Sequence, residues 1–219
     1  MEIDLSQRIL ARNEQLANAN RARMKAAGVF VLDVLASPGA GKTETILATI
    51  GQLRDTRRIA VVEGDIASKV DAEKVKAHGI PAVQINTGGA CHLEADMVSR
   101  AFDALPIDDL DLVVLENVGN LVCPTEFDLG QNARIVILSV PEGHDKPLKY
   151  PGIFAQADAV LLNKVDTMHV FDFDEAQFTD AVRHLNGLAP IFRMSAKTGE
   201  GVAEWAEWLA ARMDAEKAL

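Results

Sequence analysis

At 219 residues, 48% of them hydrophobic, the chain suits one α/β-sized domain and is too apolar to be disordered. A formal net charge of −10 excludes nonspecific nucleic-acid binding, which needs Lys and Arg to displace counterions, but leaves metal cations as partners. No run reaches the ~18 apolar residues of a membrane span, and residues 1–20 are charged without a signal-peptide core, which points to the cytoplasm.

Residues 1–28 read as an N-terminal helix. Leu5, Ile9, Leu10 and Leu16 form a loose apolar stripe, Arg8, Arg12, Glu14 and Arg21 a solvated face, and Gly28 a stop. Such a helix either lies on the domain or is a docking arm for a partner protein, possible contacts being Leu5, Ile9 and Leu10. Residues 29–219 then alternate between strand-like and helix-like segments. Strands are expected over 29–35, 58–63, 82–85, 111–116, 134–140, 159–162 and 191–194, and helices over 42–54, 69–78, 92–105, 146–156, 173–188 and 202–217. Near-continuous apolar runs such as Ile-Val-Ile-Leu fit strands covered on both faces. The expected fold is a P-loop NTPase three-layer α/β sandwich with a mostly parallel sheet and ligands at the carboxyl ends of its strands.

The first strand leads into Ala36-Ser37-Pro38-Gly39-Ala40-Gly41-Lys42-Thr43 and then Glu44. Strand, glycine-rich loop and helix are the context of a phosphate-binding loop. Its backbone N–H groups and the helix N-terminus stabilise a polyphosphate. Gly39 and Gly41 allow close approach, Lys42 reaches the terminal phosphates, and the Thr43 hydroxyl suits Mg²⁺. Ala36 stands where the pattern usually has glycine, a departure because alanine disfavours positive φ.

Asn163-Lys164-Val165-Asp166 follows the sixth expected strand, and Ser195-Ala196-Lys197 the seventh. A carboxylate at Asp166 would accept from both N1–H and N2–H₂ of guanine, a donor pair adenine lacks. Lys164 would lie along the base, and a backbone N–H near Ala196 would meet guanine O6. The ordered set favours GTP over ATP. Asp65 and Glu116, each at a strand end, compete for the Mg²⁺ shell. Gly119 is placed to sense the γ-phosphate with its N–H. Asp65 is the better candidate to orient the attacking water, with Lys42 stabilising charge.

Cys91-His92 follow Thr87-Gly88-Gly89, and Cys123 precedes Pro124. Two thiols and an imidazole, on loops expected to leave the same sheet edge, suit Zn²⁺ or Ni²⁺. They are one ligand short of a closed tetrahedron, which a two-fold dimer would complete. The alternative is ordinary buried cysteine.

Taken together, the phosphate loop, the motifs at 63–71, 87–95 and 116–124, and Glu-Gly-His-Asp-Lys-Pro-Leu-Lys-Tyr-Pro at 142–151 resemble the HypB family of hydrogenase nickel-incorporation GTPases. Cys-His-Leu with Asn-Leu-Val-Cys-Pro is the most specific part, and the similarity runs from the N-terminal helix to Trp208. The resemblance implies a slow GTPase that helps deliver Ni²⁺ to the large subunit of [NiFe]-hydrogenase, working with the small nickel chaperone HypA. It also implies a GTP-promoted homodimer with Cys91, His92 and Cys123 binding Ni²⁺ or Zn²⁺ at its interface. Some members carry Cys-rich or His-rich N-terminal tracts, whereas residues 1–28 here contain neither residue, and Glu94 stands where Asp is usual. The alternatives are a GTPase serving another nickel enzyme such as urease, a metal-storage protein with little GTPase activity, and an ATP-dependent P-loop enzyme.

Overall fold

The computed structural model describes residues 5–66 and 70–218. Residues 1–4 of the N-terminal segment, and 67–69 within the motif at 63–71, lie outside the described residues. Helix α1 (Leu5–Ala27) precedes strand β1 (Phe30–Ala36), helix α2 (Lys42–Leu53) and strand β2 (Ile59–Asp65). Then come α3 (Val70–Ala77), β3 (Ala82–Asn86), α4 (Ala95–Asp103), β4 (Leu112–Glu116) and β5 (Ala133–Ser139). The short helices α5 (Lys146–Lys149) and α6 (Pro151–Ala155), β6 (Ala159–Asn163), α7 (Glu175–Leu185), β7 (Ile191–Arg193) and α8 (Val202–Lys217) complete the chain.

The strands form one sheet in the order β3-β2-β4-β1-β5-β6-β7, and every described pairing is parallel. β1 is central. The sheet runs outward from it to one side through β4, β2 and β3, against chain order, and to the other through β5, β6 and β7 in chain order. The loop after β1 therefore sits at the topological switch point, where α/β sheets open a crevice for ligands.

Alternation along β1 sends Leu32, Val34 and Ala36 to one face, against Ile46 and Ile50 of α2 and Trp205 and Leu209 of α8. The Trp205 indole N–H donates to Thr49 Oγ1 at 2.9 Å, satisfying the one polar atom of a fully buried ring. On the other face, Val31 joins a cluster with Met24 of α1 and Phe102 of α4, and Leu35 joins one with Phe154 of α6 and Phe178 of α7. Asp33, fully buried, falls between Val31 and Leu35 at the seam of those two clusters.

Four expectations are corrected. The helix expected over 92–105 begins only at Ala95, because the preceding residue is extended and Asn13 Oδ1 of α1 accepts from the Ala95 N–H at 2.8 Å. Cys91 and His92 thus lie in a loop. The helix expected over 146–156 is broken: Tyr150 (φ −128°, ψ 56°) precedes Pro151, whose ring disfavours helical geometry in the residue before it. The segment expected over 173–188 is helical only from Glu175, capped by Asp174 accepting from the Gln177 N–H at 2.9 Å, to Leu185. Ala36 needs no positive φ, because it is the last residue of β1; Lys164, at φ 61°, is the non-glycine residue with that geometry among those described.

Candidate active site and metal centre

The phosphate loop bends through Gly39 (φ 77°) and Gly41 (φ 93°). A side chain at Gly41 would stand 2.7 Å from Asn163 Nδ2, so glycine is required there on two counts. Gly41 caps α2 without a side-chain hydrogen bond, leaving the first N–H groups of the helix to a ligand. Lys42 and Thr43 open that helix. The Thr43 hydroxyl donates to Glu116 Oε1 at 2.7 Å across the β1–β4 edge, and both residues are buried. This pairing of hard oxygen donors at the mouth of a phosphate loop fits a Mg²⁺ ion. Glu44, in the first turn of α2, pairs its carboxylate with Lys74 of α3. Asp65 ends β2 next to the same edge, in register with Asn86.

The second half of the nucleotide motif folds onto the first. Asn163 Nδ2 donates to the Ala40 carbonyl at 2.9 Å, and Asn163 Oδ1 accepts from the Ala196 N–H at 3.1 Å. Lys164 Nζ donates to the Gly39 carbonyl at 2.6 Å, and Ser195 Oγ donates to Asp166 Oδ1 at 2.7 Å. Asn163 thereby fastens the loop after β7 to the phosphate loop; Lys197, next to Ala196, is exposed. Gly119 packs against the phosphate loop from the opposite side, where an added side chain would lie 3.0 Å from Pro38.

The ligating atoms of Cys91, His92 and Cys123 all lie within 4.8 Å of one another. His92 Nδ1 faces Cys91 Sγ at 3.7 Å, and Glu94 Oε1 lies 3.7 Å from Nε2. Phe127 stacks on the imidazole at 3.9 Å between centroids, and burial pushes the His92 pKa below the usual histidine value against the opposing charge of Glu94. The Cys91 thiol is pushed up, first by its hydrogen bond with Cys123 and then by burial. Two soft donors and a neutral imidazole whose Nε2 has no hydrogen-bond partner among the described residues fit a borderline-soft divalent ion.

Sequence reasoning overlooked what supports this centre. Asp33 Oδ2 meets Arg134 Nε at 3.1 Å, and Asn117 Nδ2 donates to Asp33 Oδ1 at 3.1 Å. Arg134 Nη2 also donates to the carbonyl of Phe127 at 2.8 Å, beneath the ring stacked on His92. Burial pushes the Asp33 carboxyl up while Arg134 pulls it down. The sequence carried only part of the signal: an acid and a base each interrupt an apolar strand-like run, and buried opposite charges need partners, but only the sheet order makes the two neighbours.

The family described as "CobW/HypB/UreG, nucleotide-binding domain" matches residues 30–193. A hydrogenase maturation factor HypB from Azotobacter chroococcum mcd 1 is 47% identical over 99% of this chain and 73% of its own length. The hydrogenase/urease maturation factor HypB of Helicobacter pylori is 42% identical over 95% of this chain and 87% of its own length. The crystal structure of Helicobacter pylori HypB in complex with nickel superposes with a TM-score of 0.89 at 40% identity, covering 94% of this chain and 97% of that one.

Proposed function

Because this chain belongs to the HypB family of hydrogenase maturation factors, within the CobW/HypB/UreG nucleotide-binding group, we propose that it is a GTP-hydrolysing metallochaperone that passes nickel to the large subunit of a [NiFe]-hydrogenase. The observation that carries this reading is the convergence of Cys91, His92 and Cys123, with the segment leading to Cys123 touching the phosphate loop at Gly119. Asp166 and Lys164 select guanine, with the Ala196 N–H at O6. Lys42 and the N–H groups at the start of α2 hold the β- and γ-phosphates. Thr43 and Glu116 would hold Mg²⁺, with Asp65 nearby, and the ion would neutralise charge on the phosphate oxygens. Asp65 orients the attacking water.

Nickel is the cargo, and zinc competes for the same donors. Each protomer offers Cys91, His92 and Cys123; a GTP-promoted two-fold dimer brings two sets together. Cys123 follows Glu116 by seven residues, and Gly119 lies between them against the phosphate loop. A γ-phosphate contacting Gly119 shifts this segment, so nickel affinity differs between nucleotide states and hydrolysis releases the ion. Linkage requires nickel to alter nucleotide affinity by the same factor. HypA docks on the N-terminal helix. The Helicobacter relative's name also couples urease to this family, so a urease client is the second reading.

The test is nickel titration with GDP and with a nonhydrolysable GTP analogue. Affinities should differ at least tenfold, and Cys123→Ala should abolish tight binding in both states. Equal affinities would reject the switch, and unchanged binding by Cys123→Ala would reject the site.

A further inference from the structure

Leu93 directly follows His92, is fully buried, and touches both nucleotide-side motifs. Its backbone N–H donates to Asn117 Oδ1 at 3.1 Å, next in sequence to Glu116, which accepts the Thr43 hydroxyl. Its side chain presses on Gly64, the residue between Glu63 and Asp65: a Cβ there would lie 2.7 Å from Leu93 Cδ2 and 2.8 Å from Cγ. The loop carrying Cys91 starts from the same place, since the Thr87 N–H donates to the Asp65 carbonyl at 3.0 Å. Asn117 is itself held: its Nδ2 donates to Asp33, its N–H donates to the Val34 carbonyl at 3.1 Å, and its Oδ1 also accepts from the Val118 N–H at 3.0 Å. Fully buried between these two contacts, Leu93 must follow displacement of either Gly64-Asp65 or Glu116-Asn117.

We propose that Leu93 is the positioning residue through which nucleotide state sets the geometry of the metal centre, moving Cys91-His92 against Cys123. This rests on the proposed nucleotide-linked nickel binding and assigns its route. Cys123 has a covalent path to Glu116, whereas His92 is reached only by packing and hydrogen bonding. The relative position of the two thiols is therefore decided where Leu93 meets Gly64 and Asn117. Asn117 exchanges hydrogen bonds with both Leu93 and buried Asp33, so it anchors the junction to the central strand.

The experiment measures nickel affinity, with GDP and with a nonhydrolysable GTP analogue, for wild type, Asn117→Ser and Gly64→Ala. Serine is too short to reach the Leu93 N–H; alanine at 64 drives Leu93 off its seat. Circular dichroism and thermal melts select folded variants, and either variant alone suffices. The expected result is nickel affinity with GDP within threefold of wild type, with the ratio between nucleotide states falling from tenfold or more to below threefold. A merely structural role would lower stability and leave that ratio intact. A wild-type ratio in a folded variant overturns the Leu93 route while the switch stands; a ratio of one in wild type itself overturns both.

Discussion

The imidazole of His92 and the thiol of Cys91 are shifted in opposite senses, and each shift has a consequence for the proposed nickel site. Stacked on Phe127 and desolvated, His92 stays neutral to lower pH than an ordinary histidine, so it competes little for protons near neutrality. Cys91 keeps its proton to higher pH than an isolated thiol, because Cys123 shares its hydrogen bond and burial disfavours the thiolate. Nickel must displace that proton, so affinity should rise as pH rises through the thiol range, by about tenfold per unit for each proton released. Titrations between about pH 6.5 and 8.5 should show this slope, with proton release visible as a buffer-dependent heat. A flat profile would mean that the cysteines are not ligands. The residue types were readable from Cys-His and Cys-Pro; their proximity was not, since 32 positions separate Cys91 from Cys123.

Helix α1 is bound to the start of α4, just after Cys91-His92, and to the segment after Cys123. Asn20 Nδ2 donates to the carbonyls of Ala95 at 2.9 Å and Leu129 at 3.2 Å, and Asn13 Nδ2 to that of Asp128 at 2.7 Å. Gly130, at φ +86°, lets the chain touch α1, and a Cβ there would lie 2.5 Å from the Ala17 carbonyl. Deleting residues 1–28 would therefore damage the domain as well as any docking surface. Ile9 is 52% exposed and tests docking more cleanly. Ile9→Glu should abolish HypA pull-down with an unchanged melting temperature. Gly130→Ala should lower stability by about 1–3 kcal/mol or more through strain and overpacking. Retained pull-down by Ile9→Glu would place the dock elsewhere. The helix itself was legible in the sequence, but its buried face was not: Asn13, Ala17, Asn20 and Met24 are buried, whereas Ile9 of the apolar stripe is exposed. Only their partners make the two asparagines buried.

Across the whole molecule, the proposed shared metal site depends on what a second copy would add. Two chains of net charge −10 repel, so association needs the nucleotide, the metal, or both to supply attraction, and salt to screen the rest. Sedimentation should show a heavier species with the GTP analogue and nickel than with GDP alone, strengthened as ionic strength rises. A monomer under all conditions would remove the shared metal site. The succession of strands and helices followed from local pattern, because alternating apolar runs and punctuating Gly and Pro act over a few residues. So did the phosphate loop and the Asn-Lys-Val-Asp motif, whose chemistry is contiguous in the chain. Tertiary structure alone decided that Asp33 meets Arg134, that Asn117 holds Leu93, and that Leu93 packs onto Gly64. Those contacts join positions brought together by β1, β2 and β4 lying side by side, and no local period encodes which buried strands become neighbours.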